Sequence, residues 1–388
     1  MSRFHSYLQS ATAIIQSAET GKPLSYQLKK YFGSHPQMGS RDRRAVSTLC
    51  YNYYRCFHAF KEKLVTEAVI LSAFICASEP EPFLAAHAPE LNPYAAQSVD
   101  TKMGLLHLEQ DRFFPFKNFI DADIEAEDYI RSLLVQPDSF LRIRPGKLSA
   151  VHEALVNAEI QFTVESDTCF RVINGQSFDK YIRLDKDAVV QDFSSQKVFY
   201  WLENHPEKFS NRKMEVWDCC AASGGKSILL YDLLSIKPDL TVTDIRKNII
   251  HNLRERAGRA GIPLKRAVVA DLTGGQIFFS DDQFDVIIAD VPCSGSGTWA
   301  RTPEQLAWFN PEEINNYFQK QIAITHNLIS RLKPGGYLFY ITCSVFEKEN
   351  KVIVRELENA GLQLIDASAI CGYNGKADTM FSAVLKKE

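Results

Sequence analysis

The sequence predicts an α/β protein in which a doubly wound parallel sheet follows a helical domain and a small α+β subdomain. Three observations support this prediction. Over residues 1–128, apolar side chains recur at three- and four-residue steps, which is typical of amphipathic helices. Over 129–189, short alternating stretches surround one amphipathic helix, and over 190–388 apolar strands alternate with helical stretches. We therefore expect three domains with these boundaries.

Composition narrows the class of protein. The chain has 388 residues, of which 45% are hydrophobic and 23% are charged, as in ordinary globular proteins. It has no apolar run near the roughly 18 residues that a membrane span needs, and its first residues lack a signal-peptide core. Nine cysteines without C-x-x-C spacing disfavour a disulfide framework and a zinc ribbon. We expect a cytoplasmic monomer with free thiols, no metal and no membrane partner.

Basic side chains are concentrated at the start of the predicted helical domain. The first sixty residues carry eight of them against two acidic ones, Glu19 and Asp42. The basic residues are Arg3, Lys22, Lys29, Lys30, Arg41, Arg43, Arg44 and Arg55. Such a surface suits a polyanion such as RNA, and the alternative is a solvated helical face. Four prolines within residues 79–94 predict a loop or a broken helix there.

The middle segment predicts a small βαββ unit. Its pattern gives a strand at 140–144, a helix at 148–160 and a hairpin of strands at 162–165 and 168–173. A unit of this size is expected to act as an adaptor between the two larger domains.

Polar residues stand at the ends of the strands in the C-terminal domain. The strands are predicted at 216–218, 240–244, 268–271, 286–290 and 337–343. In chain order they end on Asp218, Asp244, Asp271, Asp290 and Cys343. One aspartate at such a position is a common helix cap, but four are more than capping explains. Because ligands of open parallel sheets bind outside the carboxyl ends of the strands, we expect a ligand site here.

The loop after the first of these strands is assigned to a cofactor. The assigned residues are Cys220, Ala221, Ala222, Ser223, Gly224, Gly225 and Lys226. Its paired glycines let the backbone approach a ligand, at which the next helix points its N–H groups. The loop lacks the first glycine of a P-loop and the spacing of G-x-G-x-x-G. With Asp244 placed for ribose hydroxyls and Asp271 for an adenine amino group, the pattern favours S-adenosylmethionine over a pyrophosphate-bearing cofactor.

Two cysteines are expected to face the same cleft. Cys293 follows the fourth strand in a glycine-rich turn, and Cys343 ends the fifth. Buried cysteine is usually apolar filler, and we read the other seven in that way. At the ligand-facing ends of strands, polar neighbours can instead activate a thiolate as a nucleophile.

These segments resemble the Sun (RsmB-type) family of RNA cytosine-5 methyltransferases. The family pattern D-x-C-A-A-P-G-G-K-T is similar to DCCAASGGKS at 218–227, and D-A-P-C-S-G-x-G is similar to DVPCSGSG at 290–297. The pattern T-C-S-x4-E-N-E is similar to TCSVFEKENK at 342–351. Segments 190–195 and 378–383 also resemble the family. The departures are Ser223 for proline, Val291 for alanine and Lys351 for glutamate.

The resemblance implies a Rossmann-like, S-adenosylmethionine-dependent methyltransferase domain and a role for each motif residue. Cys343 is then the nucleophile that adds to carbon 6 of cytosine, and Cys293 assists proton removal or product release. Asp290 hydrogen-bonds the cytosine edge or the methionine part of the cofactor, and Lys226 positions that region. The target base must be unstacked, so single-stranded or loosely paired RNA is expected.

The N-terminal residues 40–46 and the pair Tyr54-Arg55 resemble a NusB-like RNA-binding domain, which occurs in the ribosomal branch of the family. Small-subunit ribosomal RNA is therefore the expected substrate, and tRNA is the alternative. A non-catalytic RNA-binding assembly factor would need neither cysteine. A small-molecule methyltransferase would not need the basic helical domain, and a DNA cytosine methyltransferase would lack the Thr-Cys cysteine.

Overall fold

A computed structural model describes residues 2–274 and 282–388, which form two compact units. The helices are α1 Arg3–Gln16, α2 Leu24–Ser34, α3 Ser40–Arg55, α4 Phe57–Phe60, α5 Val65–Cys76, α6 Pro82–His87, α7 Val99–Leu105, α8 Ala126–Leu133, α9 Leu148–Asn157, α10 Phe193–Gln196, α11 Tyr200–Asn204, α12 Gly225–Leu233, α13 Lys247–Ala260, α14 Pro303–Trp308, α15 Glu313–Ile329 and α16 Lys351–Asn359. The strands are β1 Ser139–Ile143, β2 Phe162–Ser166, β3 Cys169–Val172, β4 Ala188–Val190, β5 Glu215–Asp218, β6 Asp239–Asp244, β7 Leu264–Val269, β8 Phe284–Asp290, β9 Leu332–Thr342, β10 Leu362–Cys371 and β11 Thr379–Lys387. Within the described ranges, every helix is too short or too polar to cross a membrane.

The first unit is helical and draws on three stretches of the chain, Met1–Ile120, Glu125–Gln136 and Thr298–Pro311. The last stretch lies far along the sequence, within the range predicted for the sheet domain. Its helix α14 packs on α3, and the Glu304 carboxylate accepts a hydrogen bond of 3.0 Å from the backbone N–H of Leu24. Helix α8 also crosses the predicted boundary at residue 128. A contiguous division of the chain therefore misses contacts that only tertiary structure creates.

Arg55 corrects the expected basic surface of the helical unit. Its side chain is buried, and its Nη2 donates to Gln136 Oε1 at 2.6 Å and to the carbonyl of Ala300 at 2.7 Å. Its neighbour Tyr54 is also buried. Arg55 therefore helps to hold the helical unit together and adds nothing to a surface for RNA. The basic residues that remain exposed are Arg3, Lys22, Lys29, Lys30, Arg41 and Arg44.

The second unit begins with a small antiparallel sheet in the order β2-β3-β1-β4, with α9 in its connection. The predicted βαββ elements are present, and α9 ends at Asn157, just before Glu159 adopts a left-handed φ of 55°. The fourth strand, β4, was not expected, because three residues are too few to show a period of two. This sheet encloses its own apolar core around Leu141, Leu155 and Phe170.

The large sheet has seven strands in the order β10-β11-β9-β8-β5-β6-β7. The five strands from β9 to β7 are parallel, as predicted, but β11 and β10 run antiparallel to their neighbours. Strand β10 escaped prediction because much of it is exposed or half-buried and shows no clean alternation, and β11 because it is buried on both faces and shows no period of two. The strand order reverses beside β5, where β8 and β6 flank it. Such a reversal opens a crevice at the carboxyl ends of the strands.

Candidate active site

The loop between β5 and α12 has a tightly constrained backbone. Ala222 and Gly224 both adopt left-handed conformations, with φ of 44° and 81°. The backbone N–H of Ala221 donates to the carbonyl of Thr243 at 2.9 Å, and that of Gly224 donates to the carbonyl of Ala221 at 2.7 Å. Gly224 is the N-cap of α12 and has no side chain to cap the first turn, and helix starts of this kind can bind anionic groups through their N–H groups. That the backbone of residues 220–225 holds a ligand stays a prediction.

Asp244 stands at the end of β6, where the sequence predicted it. Its carboxylate accepts hydrogen bonds from the N–H of Ala222 at 3.1 Å and from the N–H of Arg246 at 2.9 Å. The Arg246 guanidinium also donates to both carboxylate oxygens, at 2.9 and 3.0 Å. Burial opposes ionisation, but the hydrogen bonds from Arg246 outweigh it and lower the pKa of Asp244 below its ordinary value. The residue is an ionised acceptor that already holds a two-pronged donor.

Asp271 lies where the prediction did not put it. Strand β7 ends at Val269, so Asp271 follows two residues beyond the strand and is exposed. Its Oδ1 accepts from the N–H and the hydroxyl of Thr273, at 2.9 and 2.6 Å, and the hydroxyl bond lowers the pKa of Asp271. The aspartate thus stabilises its own turn, and an additional contact with adenine stays a prediction.

Lys226 and Asp290 bring the cofactor loop and β8 together. The Lys226 Nζ lies 2.6 Å from Asp290 Oδ2, and both side chains are mostly buried. Burial works against the ammonium, yet the charge of Asp290 outweighs it and raises the pKa of Lys226 above its ordinary value. Behind this pair, the Ser227 hydroxyl donates to Asp218 Oδ2 at 2.6 Å. Burial raises the pKa of Asp218 to about 7.

The two candidate cysteines lie side by side. Cys293 Sγ and Cys343 Sγ are 3.3 Å apart, and both residues are half-buried. The hydrogen bond to Cys343, with burial as the second cause, raises the pKa of the Cys293 thiol well above its ordinary value. Both causes favour the protonated form of Cys293, and either sulfur can be the donor in the contact between the two thiols. The separate roles of the two cysteines stay a prediction.

Glu349 and Asn350 are site residues that sequence reasoning did not select. The Glu349 carboxylate is buried and accepts hydrogen bonds from Ser294 and Ser344, which follow the two cysteines. Asn350 accepts from the Thr342 hydroxyl at 2.6 Å and donates to the carbonyl of Ser344 at 2.9 Å. Both residues stand in the quoted segment 342–351. The signal that the sequence offered for these two residues was a carboxylate and an amide close to the Thr-Cys-Ser turn.

Two departures from the family pattern have structural partners. The Ser223 hydroxyl accepts a hydrogen bond of 2.9 Å from Arg256, whose guanidinium also donates to the Ser223 carbonyl at 3.1 Å. Lys351 Nζ lies 2.7 Å from Asp121 Oδ1 and 2.7 Å from Asp123 Oδ2. Arg256 therefore stabilises the cofactor loop at the position where the family has proline. Two aspartates form ion pairs with Lys351, the lysine that replaces a glutamate of the family pattern. Val291, the third departure, is buried.

A doubly wound sheet of this order, with its C-terminal antiparallel pair and its ligand crevice beside β5, is the fold of the Rossmann-like S-adenosylmethionine-dependent methyltransferases. The predicted fold class is thereby confirmed. Within that class, residues 200–371 match the family model described as 16S rRNA methyltransferase RsmB/F. The match of this part of the chain to the family model confirms the resemblance to the Sun/RsmB family seen in the sequence motifs.

Individual relatives agree with this family. A probable ribosomal RNA small subunit methyltransferase B of Bacillus subtilis is 27% identical over 233 residues, which cover 59% of this chain and 51% of the relative. A protein with the same description from Coxiella burnetii is 31% identical over 43% of this chain and 38% of its own length. Mouse NSUN6, named a tRNA (cytosine(72)-C(5))-methyltransferase, is 29% identical over 45% of this chain and 37% of its own. The chain thus spans about half the length, or less, of these relatives.

Solved structures show the same fold at lower identity. The crystal structure of PH0851 superposes with a TM-score of 0.73 at 20% identity, and covers 100% of this chain and 99% of its own. The structure of NSun6 from Pyrococcus horikoshii has a TM-score of 0.59 at 15% identity, over 70% of this chain and 96% of its own. At these identities the likeness concerns the fold alone.

Proposed function

We propose that this protein methylates carbon 5 of cytosine in RNA, with S-adenosylmethionine as methyl donor and small-subunit ribosomal RNA as substrate. The observation that carries the proposal is the contact of 3.3 Å between Cys293 Sγ and Cys343 Sγ at the ends of neighbouring strands. A small-molecule methyltransferase does not need two thiols in this position. A non-catalytic RNA-binding protein needs neither of them.

The residues of the crevice fit S-adenosylmethionine. Asp218 Oδ1 is buried and has no hydrogen-bond partner among the residues that the structure describes, so it remains an acceptor for a ligand. Asp244 supplies a carboxylate for the ribose hydroxyls, and the backbone of 220–225 supplies N–H groups beside the methionine part. A structural neighbour was crystallised with SFG, an analogue of S-adenosylmethionine. When bound, S-adenosylmethionine supplies an electrophilic methyl group.

The chain's own residues account for the remaining chemistry. The Cys343 sulfur forms a bond to carbon 6 of the cytosine, and the ring's electron pair moves to carbon 5, which thereby becomes nucleophilic. Asp290, held by Lys226, hydrogen-bonds the cytosine edge and keeps the ring against Cys343. After methyl transfer, solvent water accepts the carbon-5 proton, the double bond between carbons 5 and 6 re-forms, and the bond from carbon 6 to the Cys343 sulfur breaks. Cys293, whose raised pKa keeps it protonated beside Cys343, assists release by donating a hydrogen bond to the departing sulfur.

The choice of RNA rests on the relatives and on charge. Bacterial relatives are named for small-subunit ribosomal RNA, whereas the mouse relative is named for cytosine 72 of tRNA. The exposed basic residues of the helical unit supply a surface for RNA phosphates. Bisulfite sequencing of total RNA, from cells with and without the gene, tests the proposal. We expect one or a few cytosines of small-subunit ribosomal RNA to lose methylation without the gene.

The same experiment separates the alternatives. Loss of methylation confined to tRNA would move the substrate to the alternative class. Unchanged methylation of all RNA would contradict the proposed activity. Cells that carry only a Cys343→Ala protein are the matched control, because they retain the folded protein without the nucleophile.

A further inference from the structure

A single buried carboxylate joins the two loops that carry the cysteines. Glu349 is fully buried, and its side chain accepts four hydrogen bonds. Oε1 accepts from the backbone N–H of Ser294 at 2.8 Å and from Gln321 Nε2 at 3.2 Å. Oε2 accepts from the hydroxyls of Ser294, at 2.5 Å, and Ser344. Donors therefore fill both oxygens of the carboxylate.

These donors are the immediate neighbours of the reactive residues. Ser294 follows Cys293, and Ser344 follows Cys343, so Glu349 contacts the chain one residue beyond each thiol. Gln321, on α15, also donates to the carbonyl of Pro292 at 3.0 Å, on the other side of Cys293. The hydroxyl oxygens of Ser294 and Ser344 lie 3.2 Å apart. The loops are thus attached to one another through Glu349 and are not merely adjacent.

We propose that Glu349 is a positioning residue, which sets the separation of the Cys293 and Cys343 sulfurs for methyl transfer. This proposal rests on the proposed function. The hydrogen bonds of the carboxylate reach the two cysteines through Ser294 and Ser344, the residues that follow them. Misplacement of a reacting group by about 1 Å can cost about 100-fold in rate. A residue that fixes the separation of the sulfurs therefore controls the chemical step rather than cofactor binding.

A carboxylate suits this position better than an amide. The four partners are all donors to Glu349, and charge-assisted hydrogen bonds are stronger than neutral ones. In Glu349→Gln, one oxygen becomes an NH2 group that faces existing donors. Ser344 Oγ also accepts from the N–H of Phe346 at 3.0 Å, which limits how far this hydroxyl can turn to receive the new donor. The substitution keeps the size of the side chain and weakens the attachment of both loops.

Phenylarsine oxide tests the separation of the sulfurs directly. One molecule condenses with two neighbouring thiols to give one arsenic bonded to both sulfurs and one water. Other close pairs, such as Cys56 with Cys76 and Cys219 with Cys220, add a background, which Cys293→Ala measures. We expect Glu349→Gln to slow the capture that depends on Cys293 by about tenfold. Glu347→Gln is the matched control, since Glu347 is about half exposed and lies two residues away.

Kinetics separate positioning from a merely structural role. In RNA methylation, Glu349→Gln should lower kcat by about 10- to 100-fold and leave KM for S-adenosylmethionine within about twofold of the unchanged protein. Capture and kcat equal to those of Glu347→Gln would overturn the proposal. If Glu349→Gln does not fold, Ser294→Ala and Ser344→Ala each remove one hydroxyl donor. Each should slow capture, and normal capture in both would overturn the proposal.

The capture experiment needs no RNA. A wild-type protein that does not methylate RNA, together with slower capture in folded Glu349→Gln, would contradict the proposed function and support the positioning role. Methylation by the wild type, with normal capture in Glu349→Gln, would support the proposed function and overturn the positioning role.

Discussion

The two edges of the site are held by different kinds of contact. At the cofactor edge, formed by residues 218–226 and Asp244, the acidic acceptor of β6 is paired with Arg246, whose side chain is 55% exposed. At the cysteine edge, formed by residues 290–297 and 342–350, the central acceptor is Glu349, which is buried among serines and a glutamine. One edge rests on an ion pair whose arginine reaches solvent, and the other on a network that is buried throughout.

This difference indicates which part of the site is built before the ligands arrive. The Arg246 guanidinium reaches solvent, so it can move away when ribose hydroxyls take its place as donors to the buried Asp244 carboxylate. A buried carboxylate that loses its partners without replacement is strongly destabilising. The thiols are therefore fixed in the free protein, whereas the ribose site can exchange one set of donors for another.

The largest expected effect is a loss of stability on substitution at Gly297, where the cysteine edge is packed most tightly. A Cβ on Gly297 would lie 1.9 Å from the carbonyl oxygen of Thr379 and 3.0 Å from that of Cys343. Gly297→Ala should therefore lower the free energy of unfolding by about 3 kcal/mol or more, because backbone atoms must move. Urea denaturation measures this change. Gly258→Ala, in α13 with open space around its Cβ, should be nearly neutral, and equal effects would contradict a rigid cysteine edge.

The cofactor edge is expected to respond to pH through Asp218. Burial raises its pKa to about 7, above the roughly 3.9 of an exposed aspartate. The unfolded chain releases this proton first, so the free energy of unfolding falls as the pH rises from about 4 to about 7. Asp218→Asn stays neutral and should remove about 2 kcal/mol of the difference between pH 5 and pH 8. Asp239 is half-exposed at the start of β6, so Asp239→Asn should leave this difference between pH 5 and pH 8 unchanged. Identical pH dependence of stability in both variants would count against a buried acid at Asp218.

Cofactor affinity distinguishes an exchangeable contact from a fixed one. Asp244→Ala should weaken binding of S-adenosylmethionine by about 1–2 kcal/mol, because ribose hydroxyls lose their buried acceptor. Calorimetry is the measurement. Arg246→Ala is the matched variant, since it removes only the competing donor and should leave the affinity equal or slightly higher. Weaker binding in Arg246→Ala would show that the arginine belongs to the ribose site, and unchanged binding in Asp244→Ala would remove the aspartate from it.

The smallest effect concerns the helical unit, outside both edges. Lys29 and Arg41 are both exposed. The double variant Lys29→Gln, Arg41→Gln should therefore reduce the dependence of RNA affinity on salt. The slope of log affinity against log salt should fall by about 0.7–0.9 for each phosphate that the protein no longer neutralises. Affinity for S-adenosylmethionine should not change. Lys63→Gln, at a lysine already paired with Glu67, is the control. An unaltered slope would return this face to the solvated-helix interpretation.

Sequence patterns predicted the parts of the molecule that depend on local or periodic signals. Strands β5, β6 and β8 end on the predicted aspartates, because an apolar strand that ends on a polar residue can be recognised from the sequence alone. The membership of 298–311 in the helical unit could not be predicted, because only tertiary packing brings Glu304 to Leu24. For the same reason, the burial of Arg55 was not foreseen.

The site shows the same limit. Motif spacing selected Cys293 and Cys343, but nothing in the sequence states that their sulfurs are 3.3 Å apart or that one hydrogen-bonds the other. Glu349 was passed over, although it lies in the quoted segment 342–351, because a glutamate in a turn normally faces solvent. Its burial and its four donors exist only after β8 and β9 are brought side by side.

The division of roles between the two cysteines is best tested on a denaturing gel with RNA and S-adenosylmethionine present. Cys293→Ala should attack and methylate the cytosine but release it slowly, leaving a nuclease-sensitive, slow-migrating band of protein bonded to RNA through Cys343. Cys343→Ala should give no band. The reverse pattern would make Cys293 the nucleophile, and the absence of a band in both variants would contradict the covalent mechanism.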